Sequence, residues 1–276
     1  EASFAAGLAA AEMAIGWRFR QEWVDAAPRL RWLATPSAGR DYFSIVPRPG
    51  MRVTYGAFHG PFIAETVAGM VLAESRGLLE AVRQQTVGAL WPREMLAARQ
   101  RSVRGSRAVI VGFGRIGEQV GRLLHLLGVT VTGIRRHPQL GARPSWMGAE
   151  DAVLPAARLD AVLPTADHVI LVLPRDTGTD NLFDATRLAL LPPRAVLYNV
   201  GRGNAIDEAA LADALRGGRL RAACLDVFAR EPLTGALPLC GAPRLYALPH
   251  LSAAAPEYLD RYIDELAALW QDLEPA

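Results

Sequence analysis

The chain has 276 residues, 51% hydrophobic and 21% charged, which suits a soluble globular protein with room for two domains. A net charge of +2 is too small to point to a nucleic-acid partner, and no apolar run is long enough to span a bilayer. Cys224 and Cys240 form neither a metal-ligand spacing nor a disulfide scaffold, which fits a reducing cytoplasm.

All 30 basic residues are arginine, a bias read first as genomic composition. Residues 1–20 lack the basic start and cleavage pattern of a secretory leader, and the first residue is not methionine. Residues 8–19 read as a helix end running into a strand, and residues 30–35 as a second strand. The loop at 35–41, TPSAGRD, is either a presenter of backbone N–H groups to an anion or an ordinary surface turn. Val53 and Tyr55 suggest a short strand before the turn at 56–61. From 62 to 82, Ile63, Val67, Met70, Val71, Leu78 and Leu79 follow a helical period. They predict one long helix linking two domains, with Gly69 and Gly77 lowering its propensity. Residues 84–104, with Trp91 ahead of Pro92, read as an irregular arm.

The next stretch, AVIVGFGRIGEQVGRLL at 108–124, organises the rest. A buried strand runs into Gly112, Gly114 and Gly117, the spacing of a dinucleotide-binding turn. Gly112 permits the tight turn, Gly114 removes the Cβ that would block a pyrophosphate, and Gly117 lets the helix pack close. Ile116, Val120, Leu123, Leu124 and Leu127 recur at helical spacing, so the helix opens with its free N–H groups, those of Arg115 and Ile116 among them, toward the phosphates. Strand candidates follow at 129–134, 168–173, 195–200, 222–227 and 245–248. Helix candidates lie at 185–190 and at 207–216, the latter stopped by Gly217 and Gly218, and an amphipathic helix closes the chain at 257–273. This alternation predicts an α/β fold, a parallel sheet with helices on both faces.

In an NAD-preferring unit a carboxylate about 20 residues past the turn accepts from the ribose hydroxyls. Here Arg135 and Arg136 stand there instead, followed by His137. Guanidinium groups suit a 2′-phosphate, which predicts NADP ahead of NAD; a solvated basic strand end is the plain alternative. Arg202 in NVGRG, Glu231 in LDVFAREP and His250 in LPH lie at or just after three successive strand ends, where open α/β sheets place ligands. Singly, each also reads as a turn residue or a solvated charge. Trp91 and Trp146 read as core or arm packing. His59, His125 and His168 show no partner pattern, and Cys224 reads as core.

Taken together, TPSAGRD, IAETVAGMVLAESR, GFGRIG, LPRDTGT, NVGRGNAIDEAAL, LDVFAREPL and LPHLSAA resemble the D-isomer-specific 2-hydroxyacid dehydrogenase family over nearly the whole length. GAFHGPFIAE and IRRHP are most similar to its glyoxylate/hydroxypyruvate reductases. The resemblance implies a doubly wound, Rossmann-type nucleotide domain over 75–250. It also implies a smaller flavodoxin-like substrate domain from 1–74, with 251–276 returning to it. Family members carry a further strand and helix ahead of the segment matching 8–19 and a returning tail, so the small domain is expected to be incomplete. The implied activity is reduction of a small 2-keto acid, glyoxylate or hydroxypyruvate, by NADPH, with NAD as a possible second cofactor. Arg202 would pair with the substrate carboxylate, and His250 would donate the proton. Glu231 would hydrogen-bond that histidine and favour its protonated form. Asp226 would hold the nicotinamide carboxamide, and Leu173, Pro174, Asn199, Val200 and Gly201 would line the cofactor. The backbone N–H groups of Ala38 and Gly39 would meet the substrate carboxylate as a cleft closes over the hydride step. A homodimer through the arm is also implied. Asp176 departs from the family pattern, in which threonine is common. Alternatives are another D-2-hydroxyacid or phosphite dehydrogenase, or a nucleotide-binding corepressor-like module without catalysis. A formate enzyme would carry glutamine in place of Glu231.

Overall fold

The computed structural model describes residues 2–137, 143–233 and 238–271. It divides into two compact units, residues 1–59 with 254–276, and residues 60–253. The smaller unit contains helices α1 (Ala2–Leu8) and α2 (Gln21–Asp25) and a parallel sheet of β1 (Met13–Ile15), β2 (Trp32–Thr35) and β3 (Arg52–Tyr55), in the order β1-β2-β3. Strand β2 is buried along its length because alternate side chains face opposite ways. Leu33 joins Leu8, Phe19 and Val24, while Trp32 and Ala34 meet Tyr262 and Leu266 of the C-terminal helix (Tyr258–Gln271). The predicted end of that helix, residues 272–273, lies outside the described residues.

In the larger unit the predicted long helix is two helices, α3 (Gly60–Ser75) and α4 (Leu78–Thr86). The break is at Gly77, whose φ of +71° belongs to the left-handed region, whereas Gly69 stays helical. The arm is partly regular too, since α5 (Arg93–Arg99) forms within it. Trp91 is 85% exposed and so is not core. Helix α3 packs on α6 (Arg115–Leu126): a Cβ on Gly60 would lie 2.9 Å from Gln119 Cγ. The whole of α3 therefore belongs to the larger unit, and the division falls after His59 rather than after residue 74.

The larger sheet is seven-stranded and parallel. In chain order its strands are β4 (Arg107–Val111), β5 (Thr130–Arg135), β6 (Ala152–Pro155), β7 (His168–Leu171), β8 (Val196–Asn199), β9 (Ala222–Leu225) and β10 (Leu245–Ala247). Their spatial order is β10-β9-β8-β7-β4-β5-β6. The central strands β4, β7, β8 and β9 are largely apolar because both faces are covered. Ala108, Ile110, Ile170, Tyr198 and Cys224 face Val67 and Val71 of α3 and Val120 and Leu124 of α6. Val109, Val111, Leu171, Leu197 and Leu225 face the other side. There they meet Leu159 of α7 (Leu159–Val162), Leu188 of α8 (Ala185–Ala189) and Leu211 and Leu215 of α9 (Glu208–Arg216). Each such Leu, Ile or Val contributes about 1.5–3 kcal/mol by burial. Strand β6 was not picked out in the sequence: it is a half-buried edge strand whose apolar run, Ala152 to Leu154, is only three residues long and ends in proline.

Candidate active site

Strand β4 is flanked by β7 on one side and β5 on the other, and the connections leave it in both directions. Such a reversal of strand order marks the place, at the carboxyl edge of the sheet, where α/β proteins bind ligands. The segments following β5, β4, β7, β8, β9 and β10 therefore line one edge in that spatial order. They carry, in turn, Arg136, the Gly112–Gly117 turn, Leu173 with Pro174, Arg202, Asp226 with Glu231, and His250.

Glycines let these turns press together. Gly112 has φ +96°, and a Cβ there would stand 2.3 Å from the Val172 carbonyl oxygen. A Cβ on Gly117 would stand 2.4 Å from Gly112 O, and one on Gly201 2.5 Å from the Leu173 backbone. Gly203 is tighter still, 1.8 Å from the Phe228 carbonyl carbon. Gly114 is the exception, since a Cβ there would meet nothing within 4 Å. The protein's own packing does not require glycine at 114. A group seated against the backbone would, and Gly114 is the N-cap of α6, with no side chain capping the free N–H groups of that helix. The described residues thus fit a dinucleotide pyrophosphate.

At the far end of β8, Asn199 is fully buried, and its side chain staples the next turn. Its Oδ1 accepts from Gly201 N–H at 3.1 Å and its Nδ2 donates to Arg202 O at 3.0 Å. With its carbonyl accepting from Asp226 N–H at 2.9 Å, Asn199 also builds the turn that the cofactor is expected to meet. Val200 is buried and Arg202 half-buried, with Nη1 donating to Gly201 O at 2.9 Å.

His250 and Glu231 are joined: Nδ1 lies 2.8 Å from Glu231 Oε2. The other carboxylate oxygen, Oε1, accepts from Phe228 N–H at 2.9 Å, so the glutamate is held from two sides. A carboxylate acceptor on Nδ1 assigns that nitrogen the proton and leaves Nε2 as the nitrogen for proton delivery. His250 has φ +55°, an uncommon state for a residue with a Cβ. Asp226, fully buried, holds it there. Its carbonyl accepts from His250 N–H at 2.8 Å, and its carboxylate accepts from Leu251 N–H at 2.7 Å and Ser252 N–H at 3.0 Å. The carboxylate expected at the carboxamide therefore anchors the loop of the expected proton donor. Sequence spacing could not show this, since the partners are about 25 residues apart.

Arg135 is half-buried, while Arg136 is two-thirds exposed and reaches Asp176 at 3.7 Å. In the smaller unit Ala38 is exposed, and Gly39 N–H donates to Ser37 Oγ at 3.1 Å, so an anion there would compete with a bond inside the loop. The three histidines without a partner pattern have partners. His59 lies 2.9 Å from the Tyr258 hydroxyl, His125 2.9 Å from Asp151, and His168 3.1 Å from the Tyr198 hydroxyl. Burial lowers His168 to a pKa of about 4 and pushes the Cys224 thiol up, which suits inert core groups. Among the described residues no cluster of His, Cys, Asp and Glu could hold a metal, and no helix is long and apolar enough to cross a membrane.

A family model for the NAD binding domain of D-isomer specific 2-hydroxyacid dehydrogenases matches residues 68–252. The glyoxylate/hydroxypyruvate reductase B of Klebsiella pneumoniae is 33% identical over 250 residues, which cover 86% of this chain and 74% of that protein. A solved D-isomer specific 2-hydroxyacid dehydrogenase family protein from Aeromonas salmonicida is 30% identical, with a TM-score of 0.79 over 99% of this chain and 86% of the other. Another such dehydrogenase, from Xanthobacter autotrophicus Py2 in complex with NADPH and MES, is 28% identical, with a TM-score of 0.77 over 96% of this chain and 82% of the other.

Proposed function

The chain belongs to the D-isomer-specific 2-hydroxyacid dehydrogenase family of NAD(P)-dependent enzymes, and on that premise we propose that it reduces glyoxylate, hydroxypyruvate or a 2-keto acid of similar size, with NADPH ahead of NADH. The observation that carries this reading is the His250–Glu231 pair, held at 2.8 Å at the same sheet edge as the Arg202 turn. The reduced nicotinamide supplies the hydride. His250 delivers a proton from Nε2 to the carbonyl oxygen, and Glu231 keeps the ring oriented through Nδ1. Arg202 is the cation for the substrate carboxylate; a planar fork of five donors can bond Gly201 O and a carboxylate together. Ala38 and Gly39 are assigned to substrate binding through their backbone N–H groups. Gly112, Gly114, Arg115, Ile116 and Gly117 hold the pyrophosphate. Leu173, Pro174, Asn199, Val200 and Gly201 line the cofactor, Asp226 lies toward its carboxamide, and Arg135 and Arg136 take the 2′-phosphate.

A second copy of the chain is the proposed partner. Leu78, Val82, Val87, Leu90 and Trp91, on α4 and the arm, are each more than half exposed, an apolar surface suited to a homodimer. Cytoplasmic location is part of the same proposal and suits a buried free thiol at Cys224.

Steady-state turnover of a keto-acid panel with both cofactors tests the reading. Glyoxylate and hydroxypyruvate are expected to turn over with NADPH, and no turnover with any member of the panel overturns it. Replacing Arg135 and Arg136 by glutamine is expected to weaken NADPH far more than NADH, and equal losses refute the phosphate assignment.

A further inference from the structure

We infer that Asp176 sets the cofactor discrimination of this chain: a fixed carboxylate at the adenosine end restrains the grip of Arg136 on a 2′-phosphate and keeps the 2′-hydroxyl cofactor acceptable. The inference deepens the proposed NADPH preference and rests on it. In dinucleotide folds the carboxylate that reads the ribose stands at the end of the strand after the glycine turn. That place holds Arg135 and Arg136 here, and a carboxylate reaches the same locality from another element. Asp176 lies in the loop after β7 and Arg136 directly after β5, with β4 and its glycine turn between them. Their side chains nevertheless meet, Arg136 Nη2 lying 3.7 Å from Asp176 Oδ2, so the two loops bracket the strand that carries the turn.

Arg136 is a long exposed side chain, whereas Asp176 is tethered to its own loop. Its Oδ1 accepts from Gly178 N–H at 2.8 Å, and its own N–H donates to Thr179 Oγ1 at 3.1 Å, a reciprocal capping box. Thr179 is buried, and its hydroxyl also accepts from Asn204 Nδ2 at 3.2 Å, tying the box to the turn after β8. One carboxylate oxygen is thus committed to the loop, and the other faces the arginine. A 2′-phosphate must share Arg136 with this anion and is repelled by it. A ribose 2′-hydroxyl has no charge to repel and can donate to it.

Calorimetric binding of 2′,5′-ADP and of 5′-ADP to the full chain tests this at low and high salt. Asp176→Asn keeps an acceptor for Gly178 N–H and removes only the charge. It is expected to tighten 2′,5′-ADP by roughly three- to tenfold at low ionic strength, a gain that fades at high salt, with 5′-ADP unchanged or weaker. Should that variant melt below the parent, Asp176→Ser provides the same neutralisation with another capping hydroxyl. Unchanged or weaker 2′,5′-ADP binding in a folded neutral variant overturns the inference. Arg136→Gln separates the two levels of argument. If it abolishes a parental preference for 2′,5′-ADP while Asp176→Asn has no effect, the NADPH reading stands and the role of Asp176 falls. If Arg136→Gln changes nothing, the phosphate assignment falls, and the inference with it.

Discussion

Replacing Asp226 by asparagine separates two roles for a residue that shape alone would leave ambiguous. The substitution keeps the volume of a fully buried side chain and retains one acceptor, but turns an amide NH2 toward either Leu251 N–H or Ser252 N–H. One charge-assisted bond is lost, at about 1.5–3 kcal/mol, and a buried donor is left facing a donor. The same bonds oppose the strain of His250 at φ +55°, about 1–3 kcal/mol for a residue with a Cβ. The expected destabilisation of about 2–3 kcal/mol lowers the melting temperature by roughly 5–10 °C for a domain of this size. With 1.36 kcal/mol worth a factor of ten in rate, kcat falls by up to about a hundredfold as the 250–252 loop leaves its bonded position and His250 its contact with Glu231. Steady-state kinetics with glyoxylate and NADPH, cofactor titration and a thermal melt measure the three quantities. Cofactor affinity is expected to stay within a few-fold of the parent. A variant with parental kcat, or one whose whole loss lies in cofactor affinity, refutes the loop-anchoring account and returns Asp226 to the carboxamide.

His250→Asn is expected to cut turnover by orders of magnitude with cofactor binding intact; near-normal kcat would remove the proposed proton donor. Gly203→Ala places a Cβ 1.8 Å from the Phe228 carbonyl carbon, so the 228–231 segment must move and take Glu231 with it. Loss of about 1–3 kcal/mol of stability together with reduced kcat is expected from urea unfolding and kinetics, and an unchanged variant contradicts the contact. His168 provides a pH signature. Its pKa falls from 6.5 in the unfolded chain to about 4 in the buried site, so the unfolded state takes up the proton first as pH drops. Its contribution is intact above pH 6.5 and is lost progressively between 6.5 and about 4, at most about 3 kcal/mol. His168→Gln should therefore show a flatter dependence of the urea midpoint over that window, and parallel curves would discard the assignment.

Residue pattern alone determined most of the nucleotide half of this protein. A four-residue apolar run such as 108–111, too short for a helix and closed by glycine, reads as a strand covered on two faces, and the glycines at 112, 114 and 117 answer local demands of turn, ligand approach and helix packing. Local physics is written locally, so the strands at 168–171, 196–199 and 222–225 and the α9 stop at Gly217 were all legible. The break at Gly77 and the edge strand β6 were not, because a tolerated helix glycine and a half-buried run ending in proline look alike whether or not structure follows them. Of the site, the residue types and the strand-end positions of Arg202, Glu231 and His250 could be read from the chain. That Asp226 holds Leu251 and Ser252, that Phe228 N–H holds Glu231, and that Asp176 meets Arg136 across β4 could not. Those contacts join backbone groups and charges far apart along the chain, and only the order in which the strands pack side by side decides which of them become neighbours.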